Sequence, residues 1–88
     1  MSATAILTHE RHLFHAQCPQ VRIVLKDGGH EIACVGVNVM SGKFHAQANT
    51  WSAIERLPGL YYLAMEERAV WLAELSAAAP LLTPTRED

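Results

Sequence analysis

EIACVGVNVMSGKFHAQA, residues 31–48, carries the strongest signal of secondary structure in this chain. Its first half places a small or β-branched apolar residue at every second position: Ala33, Val35, Val37 and Val39. This two-residue period is typical of a strand that buries one of its faces. We therefore predict that the stretch forms part of a sheet with one apolar side.

A two-residue turn at residues 41–42 would close this stretch into a hairpin, because its glycine tolerates a positive φ. The turn would place Val39 opposite Phe44 and Val35 opposite Ala48, so that the apolar partners share one side. A slip of one residue would move every apolar side chain to the other side. The pattern therefore predicts both the hairpin and its register.

Val21–Lys26 is predicted to be the preceding strand. Val21 and Ile23 join the side of Val35 only if the connection contains an odd number of residues, which favours residues 27–29 as a three-residue loop. The resulting sheet is a three-stranded antiparallel meander.

Two helices are predicted after the sheet. Ser52 and Glu55 fit a capping box that begins a short helix, and Pro58-Gly59 would end it. A longer helix is predicted over Leu60–Ala79, with Pro80 ending it. The fold class is therefore α+β, with both helices on the valine side of the sheet.

The long helix carries an apolar stripe suited to lie on a sheet. The stripe comprises Leu60, Tyr61, Ala64, Met65, Trp71, Leu72, Leu75 and Ala78. Arg68 interrupts this stripe, and we expect its guanidinium to reach water. Leu63 and Val70 lie outside the stripe, so a homodimer is expected to form through them or through the edge strand Val21–Lys26. Trp51 is expected in the core.

Residues 3–16 allow two interpretations. Ile6, Leu7, Leu13 and Phe14 recur as one face of a helix would, although part of the segment also alternates as a strand does. We predict a helix here.

Length and composition indicate one folded domain over residues 1–80. Half of the 88 residues are apolar and 18% are charged, which is too apolar for a disordered chain. Residues 81–88, with Pro84 and three charges, are predicted to be a disordered tail.

No apolar run approaches the length of a membrane span, and no basic leader opens the chain. Cys18 and Cys34 without a Cys-x-x-Cys motif fit a reducing compartment, so a cytoplasmic location is expected.

One spacing suggests chemistry. His9, His12, His15 and Cys18 recur at every third residue, and histidine and cysteine are ligands of zinc. On a helix this set drifts off a single face, so a metal-dependent or thiol-dependent protein is kept as an alternative, and no metal or cofactor is expected. Cys34 has no predicted base beside it, and no catalytic motif is present. We therefore expect no enzymatic activity.

The side of the sheet away from the helices is the predicted contact surface. It mixes apolar and basic residues, and exposed apolar residues often mark interaction sites. The predicted partner-binding residues are Arg22, Val24, Lys26, Ile32, Asn38, Met40, Lys43, His45 and Gln47. The sequence therefore favours a non-enzymatic protein-binding module.

A small nucleic-acid-binding domain is the alternative function. The order of helix, three strands and helix resembles double-stranded RNA-binding domains, which carry a basic cluster at the start of the final helix. Here that position reads TWSAIE, residues 50–55, and the net charge is −2. Charge and missing motifs therefore argue against nucleic acid.

The layout as a whole supplies a resemblance. VRIVLKDGGHEIACVGVNVMSGKFHAQA (residues 21–48), a short helix, LPGL and a longer helix resemble the arrangement of small phage-encoded anti-CRISPR proteins. The resemblance supplies no motif and transfers no residue role. It implies a phage or prophage accessory protein that binds and inhibits a host protein complex.

Overall fold

Four antiparallel strands in the order β1-β2-β3-β4 form one sheet, and one long helix lies on it. The computed structural model describes residues 5–13 and 19–82, with side chains to residue 77. The elements are β1 (Ala5–Leu13), β2 (Pro19–Asp27), β3 (His30–Asn38), β4 (Phe44–Ala48), α1 (Trp51–Ile54) and α2 (Leu57–Leu82). The α+β class, the antiparallel sheet and the two helices are confirmed. The predicted number of three strands is wrong, because a fourth strand precedes them.

That fourth strand is β1, and the helix predicted over residues 3–16 is wrong for Ala5–Leu13. β1 pairs with β2 along its whole length, from Ala5 opposite Asp27 to Leu13 opposite Pro19. It satisfies backbone groups that β2 would otherwise leave unpaired on that side. β2 is therefore a central strand, and the prediction of Val21–Lys26 as an edge strand is also wrong. Residues 14–18, which include the end of the predicted helix, lie outside the described residues.

The β2–β3 connection differs from the predicted three-residue loop. Gly28 and Gly29 alone form the turn, with φ of 60° and 84°. Positive φ at both central residues is what a two-residue type I′ hairpin turn requires. A bulge then shifts the register between Leu25, which faces Ala33, and Lys26. The bulge adds one unpaired residue to β3, which has the same effect on the faces as the predicted odd-numbered loop. Val21 and Ile23 therefore still share the side of Val35.

The β3–β4 hairpin keeps the predicted faces but not the predicted register. Val37, rather than Val39, lies opposite Phe44. The Asn38 side chain accepts a hydrogen bond from the Ser41 backbone N–H at 2.9 Å, and the Gly42 N–H donates to the Asn38 carbonyl at 2.8 Å. These bonds begin the turn at Asn38 and shift the register by two residues. An even shift leaves every side chain on its predicted side.

Thr50, rather than Ser52, caps α1. Its hydroxyl accepts from the Ala53 backbone N–H at 3.0 Å, so the predicted capping box with Glu55 is wrong. Pro58 lies in the first turn of α2 instead of ending α1, since the backbone N–H groups of a first turn have no partner within the helix and a proline there loses no bond.

The core lies between α2 and the two central strands. Its fully buried members are Val21, Ile23, Leu25, Ala33, Val35, Val37, Val39, Ala53, Leu60 and Ala64. Trp71 and Leu72 pack against this cluster, as the predicted stripe requires, but Trp51 is 85% exposed and its placement in the core is wrong.

α2 is longer than predicted, because it continues past Pro80 to Leu82. The rest of the predicted tail, residues 83–88, lies outside the described residues. None of the helices in the described part of the chain has the length and apolar character needed to cross a membrane.

Candidate functional site

The side of the sheet opposite α2 is not covered by either described helix. We call it the open face. Strand alternation and register assign to it Ile6, Thr8, Glu10, His12, Gln20, Arg22, Val24, Lys26, Glu31, Cys34, Gly36, Asn38, His45 and Gln47. Three strands therefore contribute to its centre, and β4 forms its margin.

Arg22 is held at the centre of the open face. Its Nη1 donates to Glu10 Oε1 at 3.2 Å, and its Nη2 donates to Glu31 Oε2 at 3.2 Å and contacts Cys34 Sγ at 3.2 Å. His12 Nε2 lies 2.9 Å from Glu10 Oε1. We call Glu10, His12, Arg22, Glu31 and Cys34 the Arg22 network. The register explains part of it, because Glu10 lies directly opposite Arg22.

The environment of the network shifts the pKa of Glu10 and that of the Cys34 thiol. The hydrogen bond from His12, followed by the nearby charge of Arg22, lowers the pKa of Glu10 below its usual value. Burial raises the pKa of the Cys34 thiol, and this effect exceeds the opposing effect of Arg22. Cys34 is therefore a protonated, covered thiol at neutral pH, whereas nucleophilic cysteines need the thiolate.

Gly36 determines where His45 lies. A Cβ built on Gly36 would be 2.5 Å from His45 Cε1, so the imidazole ring rests directly on the glycine backbone. A glycine inside a strand often marks such a close approach. The ring thus extends the polar centre of the open face toward β4.

Most predicted partner-binding residues lie on the open face, but the apolar residues of that predicted set do not form a contact surface there. Val24 is on this face and is fully buried by its neighbours. The bulge turns Ile32 to the other side, where it packs against the core. Met40 and Lys43 belong to the loop between β3 and β4. The centre of the open face is therefore polar, and its exposed apolar residue among those described is Ile6 of β1, at the margin.

On the helix side, Arg11 ties β1 to α2. Its Nε donates to Glu67 Oε2 at 2.9 Å and its Nη1 donates to Glu74 Oε1 at 2.8 Å, while the guanidinium lies 4.9 Å above the centre of the Trp71 ring. We call these four residues the Arg11 clamp. The sequence reasoning missed it, although two glutamates seven residues apart on one helix were a usable signal. His9 also approaches Glu67, at 3.9 Å.

The histidine spacing does not form a metal site in the described residues. Successive residues of a strand point to opposite sides, so His9 faces α2 while His12 faces the Arg22 network. His15 and Cys18 lie outside the described residues. Residues 5–13 and 19–77 contain no group of three or more His, Cys, Asp or Glu side chains arranged to hold a metal.

The free edge of β4 is the second surface of interest. β4 is the last strand in the order, and no described strand pairs with its outer side. The backbone N–H of Asn38 donates to the Lys43 carbonyl at 2.8 Å, and that of Asn49 donates to the Ile32 carbonyl at 2.9 Å. These two bonds fix the phase of the ladder, so that odd-numbered residues of β4 direct their backbone groups toward β3.

It follows that Phe44, Ala46 and Ala48 direct their N–H and C=O groups away from the sheet. Their side chains lie on the helix side, where α2 covers mainly the central strands. Phe44 is 56% exposed and packs against Tyr61 with ring centres 4.8 Å apart. We call Phe44–Ala48, with these outward backbone groups, the β4 edge.

The structure also locates three singled-out residues of α2. Leu63, predicted to mediate self-association, is half-buried against the core, whereas Val70 is 51% exposed. The Arg68 guanidinium was expected to extend into solvent, but its Nε donates a hydrogen bond to the Val39 backbone carbonyl at 2.8 Å.

No protein-family model, no curated protein and no solved structure matches this chain. The geometry of the open face and of the two edge strands is therefore what bears on function.

Proposed function

We propose that this protein is a non-enzymatic protein-binding module whose contact surface is the open face. The observation that carries the proposal is Arg22, whose guanidinium is fixed between two carboxylates on a face that neither described helix covers. Its side chain is 28% exposed and thus accessible to a second molecule.

A fixed arginine is a favourable centre for a contact surface. Arginine is enriched in protein interfaces and among the residues that contribute most to affinity. Ordering a long side chain on binding costs about 0.5–1.5 kcal/mol, and the Arg22 network removes much of that cost in advance. The neighbouring His45 is also positioned before binding, because its ring rests on Gly36.

The chemistry of the face favours binding over catalysis. Among the described residues its thiol is that of Cys34, which is covered and has a raised pKa, and its carboxylates Glu10 and Glu31 are engaged by Arg22. The same carboxylates disfavour a nucleic acid, because Glu10 and Glu31 flank the central cation and would repel phosphates. A protein is therefore the proposed partner, and inhibition of a host complex, as the anti-CRISPR layout suggests, is one instance of this function.

Affinity capture from a cell lysate tests the proposal when it is paired with matched variants. Lys26→Glu combined with Gln20→Glu changes the open face on β2 without touching the core. We expect this double variant to lose a protein that the wild type captures. Glu66→Lys, on the exposed side of α2, is the matched control and should retain it.

Two results would contradict the proposal. One is capture that is unchanged in the double variant after circular dichroism shows that it is folded. The other is tight binding of a duplex of about 20 base pairs at physiological salt, which would support the nucleic-acid alternative.

A further inference from the structure

We propose that two copies of this chain associate by antiparallel pairing of their β4 edges, with Ala46 on the two-fold axis. This inference goes beyond the proposed function and does not depend on it. It also differs from the predicted self-association through Leu63 and Val70.

The backbone phase of β4 allows one register to satisfy the whole edge. With Ala46 opposite Ala46 of the second copy, Phe44 lies opposite Ala48, and all three outward-pointing residues become hydrogen-bonded pairs. Each such pair in an antiparallel ladder exchanges two bonds, which gives about six across the axis. Shifting the register by two residues in either direction leaves one of the three residues unpaired.

The side chains in this register are complementary to themselves. On the helix side, the exposed Phe44 ring would lie over the small Ala48 of the second copy. On the open face, His45 would lie opposite Gln47 and Lys43 opposite Asn49. No like charges meet, because the β4 edge contains no Asp, Glu, Lys or Arg.

The other edge strand is less suited to such pairing. β1 carries four polar residues in a row, residues 9–12, and charged side chains protect an edge from pairing. A two-fold register centred on Glu10 or on Arg11 would place like charges opposite each other, and one centred on His9 would pair two imidazoles. β4 is therefore the edge that accepts a second copy.

Two exposed apolar residues beyond the strand ends fit the same arrangement. Trp51 follows β4 in α1 and is 85% exposed, while Met40 precedes β4 in the loop and is 57% exposed. Antiparallel pairing centred on Ala46 brings α1 of each copy beside the β3–β4 loop of the other. Trp51 and Met40 would then cover each other at both ends of the interface.

The assembly would be a closed two-fold dimer with one continuous eight-stranded sheet. Its two α2 helices would lie on the same side, since paired residues of an antiparallel ladder share a face. The two open faces would then form one surface on the other side. β4 would no longer be an edge in such a dimer, which removes the unprotected strand.

Light scattering coupled to size-exclusion chromatography, run over a concentration series, tests the pairing. We expect the wild type to reach twice the mass of the 9.7 kDa chain. Ala46→Pro removes an outward N–H but no bond to β3, because the bonds to β3 come from the odd-numbered residues. It should weaken association by about tenfold or more while the circular dichroism spectrum remains that of the wild type. If Ala46→Pro does not fold, Ala46→Lys replaces it and should have the same effect.

Val70→Lys is the matched control, because it changes an exposed apolar residue on α2. It should leave the dimer intact. A wild type that stays monomeric up to about 0.5 mM would overturn the proposal. A dimer that Val70→Lys dissociates and the Ala46 variants do not would also overturn it and would assign self-association to the helix.

Tryptophan fluorescence supplies a second readout. The emission of the exposed Trp51 should shift to shorter wavelength as the wild type associates. The shift should disappear in Trp51→Phe, which retains Trp71 as the internal reference. An emission spectrum that does not change across the concentration range in which the mass doubles would contradict this register.

Discussion

The two edge strands of the sheet are attached to the molecule by different forces. β1 is connected through charges on both of its sides: Arg11 pairs with Glu67 and Glu74 on the helix side, and Glu10 pairs with Arg22 on the open face. β4 has no charged residue between Phe44 and Ala48 and is held by its backbone ladder to β3 and by the contact of Phe44 with Tyr61.

This difference means that the two edge strands are unequally protected against pairing with a strand of another chain. The charges of β1 hold the strand to its own chain and also discourage pairing with another one. β4 lacks such protection, so either a second copy or another strand can add to it. The edges should therefore respond differently to mutation and to pH, and the following predictions test that difference in order of decreasing effect.

Ile23→Ala should have the largest effect and should not distinguish the edges. Ile23 belongs to the central strand β2, where it lies between His9 of β1 and Val35 of β3, and its side chain is fully buried in the core. Loss of its side chain leaves a cavity, which should lower the free energy of unfolding by about 3 kcal/mol. Urea unfolding measures the loss, and hydrogen exchange should show β1 and β4 losing protection together.

Arg11→Ala should loosen β1 selectively. It removes the ion pair with the partly buried Glu67 and the contact with Trp71, which together should lower the free energy of unfolding by about 1–2 kcal/mol. The pair with the exposed Glu74 should add little. Amide exchange should rise in β1 and stay unchanged in β4. Lys43→Ala, an exposed lysine beside β4, is the control and should change stability by less than about 0.5 kcal/mol. An equal increase of amide exchange in β1 and β4 would mean that the Arg11 clamp does not hold β1.

Gly36→Ala should loosen β4 selectively. The new methyl group would meet the His45 ring, which must rotate away from the sheet, at a cost of about 1 kcal/mol. The double variant Gly36→Ala/His45→Ala has no ring to displace and should recover most of this loss. A double-mutant cycle that gives no coupling between the two sites would show that the ring does not rest on Gly36 in solution.

Acid should release β1 before β4. The pKa of Glu10 is lowered by the hydrogen bond from His12 and by Arg22, and the pKa of Glu74 is lowered by the hydrogen bond from Arg11. A lowered pKa in the folded state contributes stability above the unfolded value of 4.5, and this contribution is lost as the pH falls through the lowered value.

Hydrogen exchange at pH 6 and pH 3 should therefore show β1 losing more protection than β4. Glu10→Gln should lose less stability than the wild type over the same interval, since it has no such carboxylate to protonate. At pH 6 this variant should lie within about 1 kcal/mol of the wild type, because the pair is partly exposed. A pH dependence identical to that of the wild type would show that Glu10 does not contribute.

The strands that bury apolar residues at every second position were predictable. The sequence indicated that Val21, Ile23 and Val35 share one side of the sheet, and the structure confirms this even though both hairpin registers differ. The sequence also assigned Arg22, Lys26 and His45 to the opposite side, where they lie; that they bind a partner stays a prediction.

β1 was not predictable from its own residues. Its positions facing α2 include His9 and Arg11, which look like solvent-exposed residues and break the alternation expected of a buried strand. Their partners Glu67 and Glu74 lie more than fifty positions further along the chain, and only the fold brings them together. The Arg22 network went undetected for the same reason, since its members come from three strands.

From the order of the residues alone it follows which side of the central strands is buried and which side of the long helix covers them. Those features depend on local periods, two residues in a strand and 3.6 in a helix, which the backbone geometry imposes on any sequence. The identity of β1, the registers, the two arginine sites and the unequal edges follow from contacts between distant residues. Such contacts depend on backbone hydrogen bonds and charge pairs that no local pattern encodes.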